Sequence, residues 1–161
     1  MSDLAAWRLP LGISMNSQAR GGQPLSDPPL RIEHSLSDDL RAWLTAELRF
    51  PVLAVLNDEG RPTQSVMWFD LDPDQPDTVL LNTMTGRAKF RWLKRDPRVS
   101  LCFEDRYEWV ALEGTVEIDE DSERGMATIK GLAERYDADP EQFKGEPRAT
   151  IRLRVEKVIR Y

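Results

Sequence analysis

One cysteine and one histidine stand among 161 residues. Cys102 alone excludes an internal disulfide and a cysteine-rich metal site. His34 alone excludes two-histidine metal motifs, and no obvious nucleophile lies near it in sequence to complete a triad. No apolar run approaches the about 20 residues that cross a bilayer as a helix. The N-terminus carries Asp3 and lacks the basic and apolar regions of a secretory signal, so a cytoplasmic protein without a membrane partner is expected. Bases are outnumbered 22 to 28, for a net charge of −6. That balance excludes wholesale coating of nucleic acid, which needs a basic surface. Internal repeats and low-complexity tracts are absent.

What remains is the composition of one soluble domain, long enough to bury a real core. Residues 1–30 read as an irregular N-terminal arm, because Pro10, Pro24, Pro28, Pro29, Gly12, Gly21 and Gly22 crowd residues 10–30. Trp7, Leu9 and Leu11 either dock that arm or belong to a loose extension. Residues 31–161 form the domain proper. Ser35 or Ser37 caps a helix of about a dozen residues, with Leu40, Trp43, Leu44 and Leu48 at helical spacing. Strands are expected over Phe50–Leu56, Gln64–Leu71, Thr78–Thr83, Val99–Phe103, Trp109–Ile118 and Ala149–Val155. Within the fifth, Val110, Leu112, Val116 and Ile118 alternate with Ala111, Glu113, Thr115 and Glu117, so one face is buried. Gly114 sits on that face and marks a bend or a bulge. Helices are expected over Gly86–Arg95, stopped by Asp96-Pro97, and over Ser122–Tyr136, with Met126, Ile129 and Leu132 inward. Six strands joined by short turns, with few helices, predict a mainly β, antiparallel barrel.

The most unusual window is 86–98. Arg87, Lys89, Arg91, Lys94, Arg95 and Arg98 face Asp96 alone, a local +5 on a chain that is otherwise −11. The cluster follows a strand ending in Asn82-Thr83, at a helix start where open N–H groups and the positive dipole end suit a phosphate. It reads two ways: an anion site, or a solvated basic face with Phe90 and Leu93 packed inward. Other candidates carry less. His34 reads as a surface residue. Cys102, between Leu101 and Phe103 with no adjacent base, reads as buried rather than nucleophilic. Asp70, Asp72, Asp74 and Asp77 crowd a turn without the spacing of a calcium loop. Trp68-Phe69 and Tyr107/Trp109 either stack on a flat ring or fill a core.

These residues follow a recognisable order. Phe50-Pro51-Val52-Leu53-Ala54-Val55 leads to Gly60-Arg61-Pro62 and Ser65-Val66-Met67-Trp68-Phe69, then Leu81-Asn82-Thr83 and Gly86-Arg87-Ala88-Lys89. Leu93-Lys94-Arg95-Asp96-Pro97-Arg98-Val99-Ser100-Leu101 follows. The order resembles the pyridoxamine 5′-phosphate oxidase-like flavin-binding split barrels, in particular the flavin/deazaflavin oxidoreductase branch that uses coenzyme F420. The resemblance runs over about Leu36–Tyr161. Trp92 departs from it, standing where an Asn is common, and the arm is longer than usual.

The resemblance implies a six-stranded split barrel with flanking helices, paired as a homodimer with cofactor grooves between protomers. It assigns Arg87 and Lys89 to the cofactor phosphate, places Asn82 and Thr83 in the same pocket, and sets the strand Ser65, Val66, Met67, Trp68 against the ring edge. Tyr107 and Trp109 match the family pattern more weakly, as residues reaching the partner protomer's site. The implied activity is hydride transfer from F420 to a small unsaturated organic substrate, the protein supplying orientation and charge. FMN is the alternative cofactor, since both carry a phosphate and a tricyclic ring. Oxidation of a pyridoxal-type substrate calls for a second basic cluster, which is lacking. Two further classes stay open: a non-enzymatic binder of flavin or tetrapyrrole, and a small barrel gripping single-stranded nucleic acid, which the negative charge disfavours.

Overall fold

A computed structural model describes residues 30–106 and 108–160. The arm expected over residues 1–30 thus lies outside the described residues except for Leu30, as does Tyr107. The chain runs β1 (Arg31–Glu33), α1 (Asp38–Ala46), β2 (Val52–Leu56), β3 (Pro62–Val66), β4 (Asp70–Leu71) and β5 (Thr78–Met84). It continues through α2 (Ala88–Arg95), β6 (Arg98–Asp105), β7 (Glu108–Asp119), α3 (Ser122–Arg135), a 3-10 turn over Pro140–Phe143, and β8 (Arg148–Arg160).

All pairings are antiparallel, in the order β3-β2-β6-β7-β8-β5-β4, with β1 added along β8. The two ends of that order, β3 and β4, are consecutive in the chain. One stretch of backbone therefore leaves β2, crosses at Met67–Phe69, and joins β5, which rolls the sheet into a split barrel. This crossing and the short β1 correct the expected count of six strands to eight. The expected strand Gln64–Leu71 is cut in two, because no single partner pairs with it throughout, and β1 adds a short strand that its three residues did not announce. Met67 N–H still reaches Pro51 O at 2.9 Å before the switch.

The barrel interior is filled as the alternation requires. Leu53 of β2, Leu81 of β5, Leu101 and Phe103 of β6, Leu112 of β7, and Ile151 and Leu153 of β8 are buried, with Phe69 edge-on to Phe103 at 4.8 Å. Helix α1 is capped by Ser37, whose Oγ accepts from Leu40 N–H, and buries Leu40 and Leu44. It stops at Ala46, shorter than expected, and leaves Leu48 exposed. Gly114 faces a bulge: its partner on β8 shifts from Lys157 to Val155, and a Cβ there would sit 2.0 Å from Arg154 O. Only glycine lets the two backbones come so close.

Strand β5 departs from simple alternation. Thr83 shares the face of Val79 and Leu81, and Asn82 on the opposite face is buried as well, because α3 packs over that end of the strand. Buried polar side chains need partners. Asn82 Nδ2 finds one in Gly125 O of α3 at 2.8 Å.

Candidate functional site

A cleft of 280 Å3 opens where the β3–β4 crossing, the end of β5 and the start of α2 meet α3. Val66, Met67, Trp68, Asn82, Thr83, Arg87 and Lys89 line it, so seven of the eight residues expected at a cofactor site share one cavity. The eighth, Ser65, lines the adjoining hollow and touches Lys89: the ammonium donates to Ser65 Oγ at 2.6 Å and to Met67 Sδ at 3.0 Å. The structure brings all eight together, although 24 positions separate Ser65 from Lys89.

The six cations of the basic window do not behave alike. Lys94 pairs with Glu120 at 2.6 Å, Arg95 with Asp58 at 2.7 Å, and Arg98 with Asp96 at 2.6 Å. Hydrogen bonds from Arg98 hold the Asp96 carboxyl down at about 2. These three charges are spent within the fold. Arg87, Lys89 and Arg91 have no carboxylate partner among the described residues. Arg87 is the N-cap of α2, exposed and lining the cleft, so its guanidinium is available at the cleft mouth. Lys89 is half-buried. Burial first, and the neighbouring Arg87 charge second, push its pKa below the ordinary lysine value. A cation in that position is one that an anion would stabilise.

The opposite wall is aromatic. Trp68 stacks on Tyr136, and Phe143 meets Trp68 edge-on at 6.0 Å. Phe50 and Val66 stand at the rim, 56% and 64% exposed, unusual for large apolar side chains. The cleft therefore joins two uncompensated cations to an apolar, flat-ringed wall, a composition suited to a ligand with an anionic end and a planar body.

Sequence reasoning missed Arg148, which lines the cleft and is only 8% exposed. Its guanidinium donates to Asn82 Oδ1 at 3.3 Å and to Glu146 at 2.9 Å from Nε, and lies over the Phe143 ring at 4.9 Å. In the sequence it shares a strand face with Arg152 and Arg154, so nothing singles it out. Only the docking of α3 over that end of β8 buries it.

The remaining candidates fall elsewhere. His34 is exposed, its Nδ1 at 3.0 Å from Glu156 O. Cys102 is exposed on the outer face of β6, correcting the expected burial, because the strand turns Leu101 and Phe103 inward. Desolvation and the Glu104 carboxylate push its thiol pKa up, the reverse of an activated nucleophile. Asp72 and Asp77 accept from backbone N–H groups of Asp74 and Leu36, and Asp70 faces Arg135 at 3.7 Å. A larger hollow of 490 Å3 lies across β2, β6, β7 and the β8 bulge. Its charged lining residues are already paired: Lys157 with Glu113, Arg98 with Asp96, and Glu156 with Thr115 and Arg154.

The chain resembles known proteins in both sequence and fold. The pattern of the pyridoxamine 5′-phosphate oxidase family matches residues 36–160. No curated protein sequence matches. A conserved hypothetical protein of Mycobacterium tuberculosis superposes with a TM-score of 0.64 at 24% identity, over 78% of this chain and 84% of its own. A protein described as an F420 reductase superposes at 0.60 with 26% identity, over 73% of this chain and 94% of its own. A pyridoxamine 5′-phosphate oxidase-related, FMN-binding protein of Nostoc punctiforme superposes at 0.53 with 17% identity, over 71% and 73%. The family match takes in the barrel, the basic window and the terminal strand alike, and the chain belongs to the pyridoxamine 5′-phosphate oxidase family.

Proposed function

We propose that the protein is an oxidoreductase that binds a phosphate-bearing flavin-type cofactor in this cleft, coenzyme F420 in preference to FMN. The observation that carries the reading is the pair Arg87 and Lys89, left without carboxylates beside an aromatic wall while Lys94, Arg95 and Arg98 are neutralised. Arg87 offers a forked contact to phosphate oxygens and Lys89 a point charge, held at the cleft by Ser65. Trp68, Met67 and Val66 present the β3–β4 crossing to the planar ring. Asn82 and Thr83 close the back of the cleft, with Asn82 fixed between Arg148 and Gly125.

When bound, the cofactor supplies the hydride chemistry, passing it to a small unsaturated organic substrate. The protein orients the ring and compensates its charge. F420 is favoured because a relative named an F420 reductase is 26% identical across most of both chains. FMN is the second reading, favoured by the FMN-binding relative. The exposed Phe50 and Val66 at the rim support a homodimer whose second copy covers them.

Absorption spectra of freshly purified protein, then titration with F420 and with FMN, test the reading. A bound or titratable deazaflavin is expected, with reduced F420 consumed when an unsaturated substrate is offered. Failure to bind either cofactor would overturn it, and binding without turnover of any substrate leaves a carrier rather than an enzyme. Sedimentation should give one species of twice the chain mass.

A further inference from the structure

Arg87 and Lys89 belong to two hollows at once. One is the cleft described above. The other, of 310 Å3, lies beyond the pair between β3 and α2, with Val55, Thr63, Ala88 and Trp92 in its walls. A phosphate monoester ends at its phosphate and would leave this second space unused. A phosphodiester continues, and the continuation leaves from the same oxygens the two cations hold.

We propose that the second hollow receives the group esterified to the far side of the cofactor phosphate, with Trp92 as its aromatic wall. The ligand is then a phosphodiester carrying a short carboxylate-bearing chain, as F420 does, rather than the monoester FMN. The inference rests on the cofactor reading above and narrows it.

Three observations commit the hollow to that occupant. Its lining is chiefly apolar near the phosphate, where Val55, Ala88 and Trp92 suit the first carbon atoms of an ester substituent. Trp92 is fixed: its indole N–H donates to Asp58 Oδ2 at 2.9 Å, and Asp58 is itself held by Arg95 at 2.7 Å. Its half-buried ring is therefore a set surface rather than a mobile side chain. Arg91 is exposed on α2 one helical turn beyond Arg87, outside the hollow's own lining, and has no carboxylate partner among the described residues, so it complements the carboxylates of a chain that leaves the hollow along the helix. An adenine dinucleotide would also continue past its phosphate, but it brings no carboxylate for Arg91.

The test is equilibrium dialysis of the full chain with F420, FMN and FAD, a readout that does not depend on tryptophan emission or on turnover. Trp92→Ala is expected to weaken F420 by about fivefold or more and FMN by less than about twofold. Trp92→Phe should recover most of the loss. Arg91→Ala should weaken F420 alone, with the difference shrinking in high salt. Thermal melts accompany each variant, and if Trp92→Ala fails to fold, Trp92→Phe and Arg91→Ala carry the comparison. Equal losses for F420 and FMN, or no loss for either, would overturn the second-hollow assignment while leaving the phosphate site intact. FAD bound more tightly than F420 with the same dependence on Trp92 would overturn the occupant. Wild-type protein that binds none of the three would sink the cofactor reading itself, and this inference with it.

Discussion

Tyr136 lies flat against Trp68, ring centroids 5.0 Å apart and planes 8° from parallel. The same tyrosine donates its hydroxyl hydrogen to Arg49 O at 2.5 Å and accepts from Phe69 N–H at 3.3 Å. Phe69 is the last residue of the crossing between β3 and β4. The residue that caps the end of α3 therefore ties down the backbone where the barrel splits, and supports the tryptophan that walls the cleft. Phe50 packs edge-on against the same ring at 5.1 Å. Packing and site are one construction here.

Tyr136→Phe keeps the stack and removes the hydroxyl. It leaves a carbonyl and an N–H without partners in a buried place, which costs about 1–3 kcal/mol. Urea denaturation should show a loss in that range with an unchanged slope. Cofactor affinity should fall too, because the Met67–Phe69 crossing loses its anchor. A variant as stable as the parent would show that water replaces the hydroxyl and that the anchor is dispensable.

Arg87→Ala should weaken F420 or FMN binding at least about tenfold, the size of one charge-assisted contact in a partly buried cleft. Lys94→Ala should change it by less than about threefold, since Lys94 is already paired with Glu120 on the surface, and stability should move by no more than about 0.5 kcal/mol. Arg95→Ala differs again. It also donates to Leu56 O at 3.1 Å and to Asn57 O, bracing the turn after β2, so stability falls by about 1 kcal/mol; FMN affinity stays nearly unchanged, and F420 affinity falls less than in Trp92→Ala because Trp92 keeps its bond to Asp58. Equal loss of binding in all three variants, mimicked by salt, would reduce the helix to a diffuse basic surface.

Much of this arrangement is legible in the sequence. The barrel follows from alternation: β7 buries Val110, Leu112 and Val116 as its sequence demands, and Gly114 falls where the bulge is. The eight residues expected together lie together, because a resemblance in ordered motifs carries spatial information that spacing alone lacks. Three things were not legible. The crossing at Met67–Phe69 reads as continuous strand, because a strand that changes partners keeps its apolar pattern. Cys102 looks like core between Leu101 and Phe103, yet neighbours in a strand face opposite sides. Arg148 and the division of the basic window into spent and free charges depend on carboxylates such as Asp58 and Glu120, distant in sequence.

Two glycines of α3 make a paired experiment. A Cβ on Gly125 would lie 2.2 Å from Arg148 O and 2.6 Å from Arg148 C, both backbone atoms of β8. Gly125→Ala must push the helix off the strand, at a cost of about 1–3 kcal/mol that outweighs the helix propensity gained. It also disturbs the Asn82–Gly125 bond behind the cleft, so cofactor affinity should drop with stability. Gly131, exposed on the same helix, has nothing within 4 Å of an added Cβ. Gly131→Ala should stabilise by about 0.5–1 kcal/mol and leave binding alone. Thermal melts and titrations of both decide it, and a neutral Gly125→Ala would mean that α3 is not clamped to β8.

Lys89 makes binding depend on pH. In the free protein its pKa is lowered, by burial and then by Arg87, so some of its charge is lost at alkaline pH that leaves an ordinary lysine protonated. A phosphate held against it favours the charged form and raises the pKa again. Between the free and bound values, binding takes up a proton. Affinity is therefore full below the free-state pKa and falls as pH rises through the window between the two. Folding runs the other way: the unfolded chain binds the Lys89 proton more tightly than the native one, so this residue's contribution to stability rises with pH over the range between its native and unfolded values. Dissociation constants measured at rising pH should weaken on the alkaline side. In Lys89→Arg the side chain stays charged throughout, and the curve should flatten. Parallel curves for the two proteins would show that Lys89 carries no phosphate, and would leave the anion to Arg87.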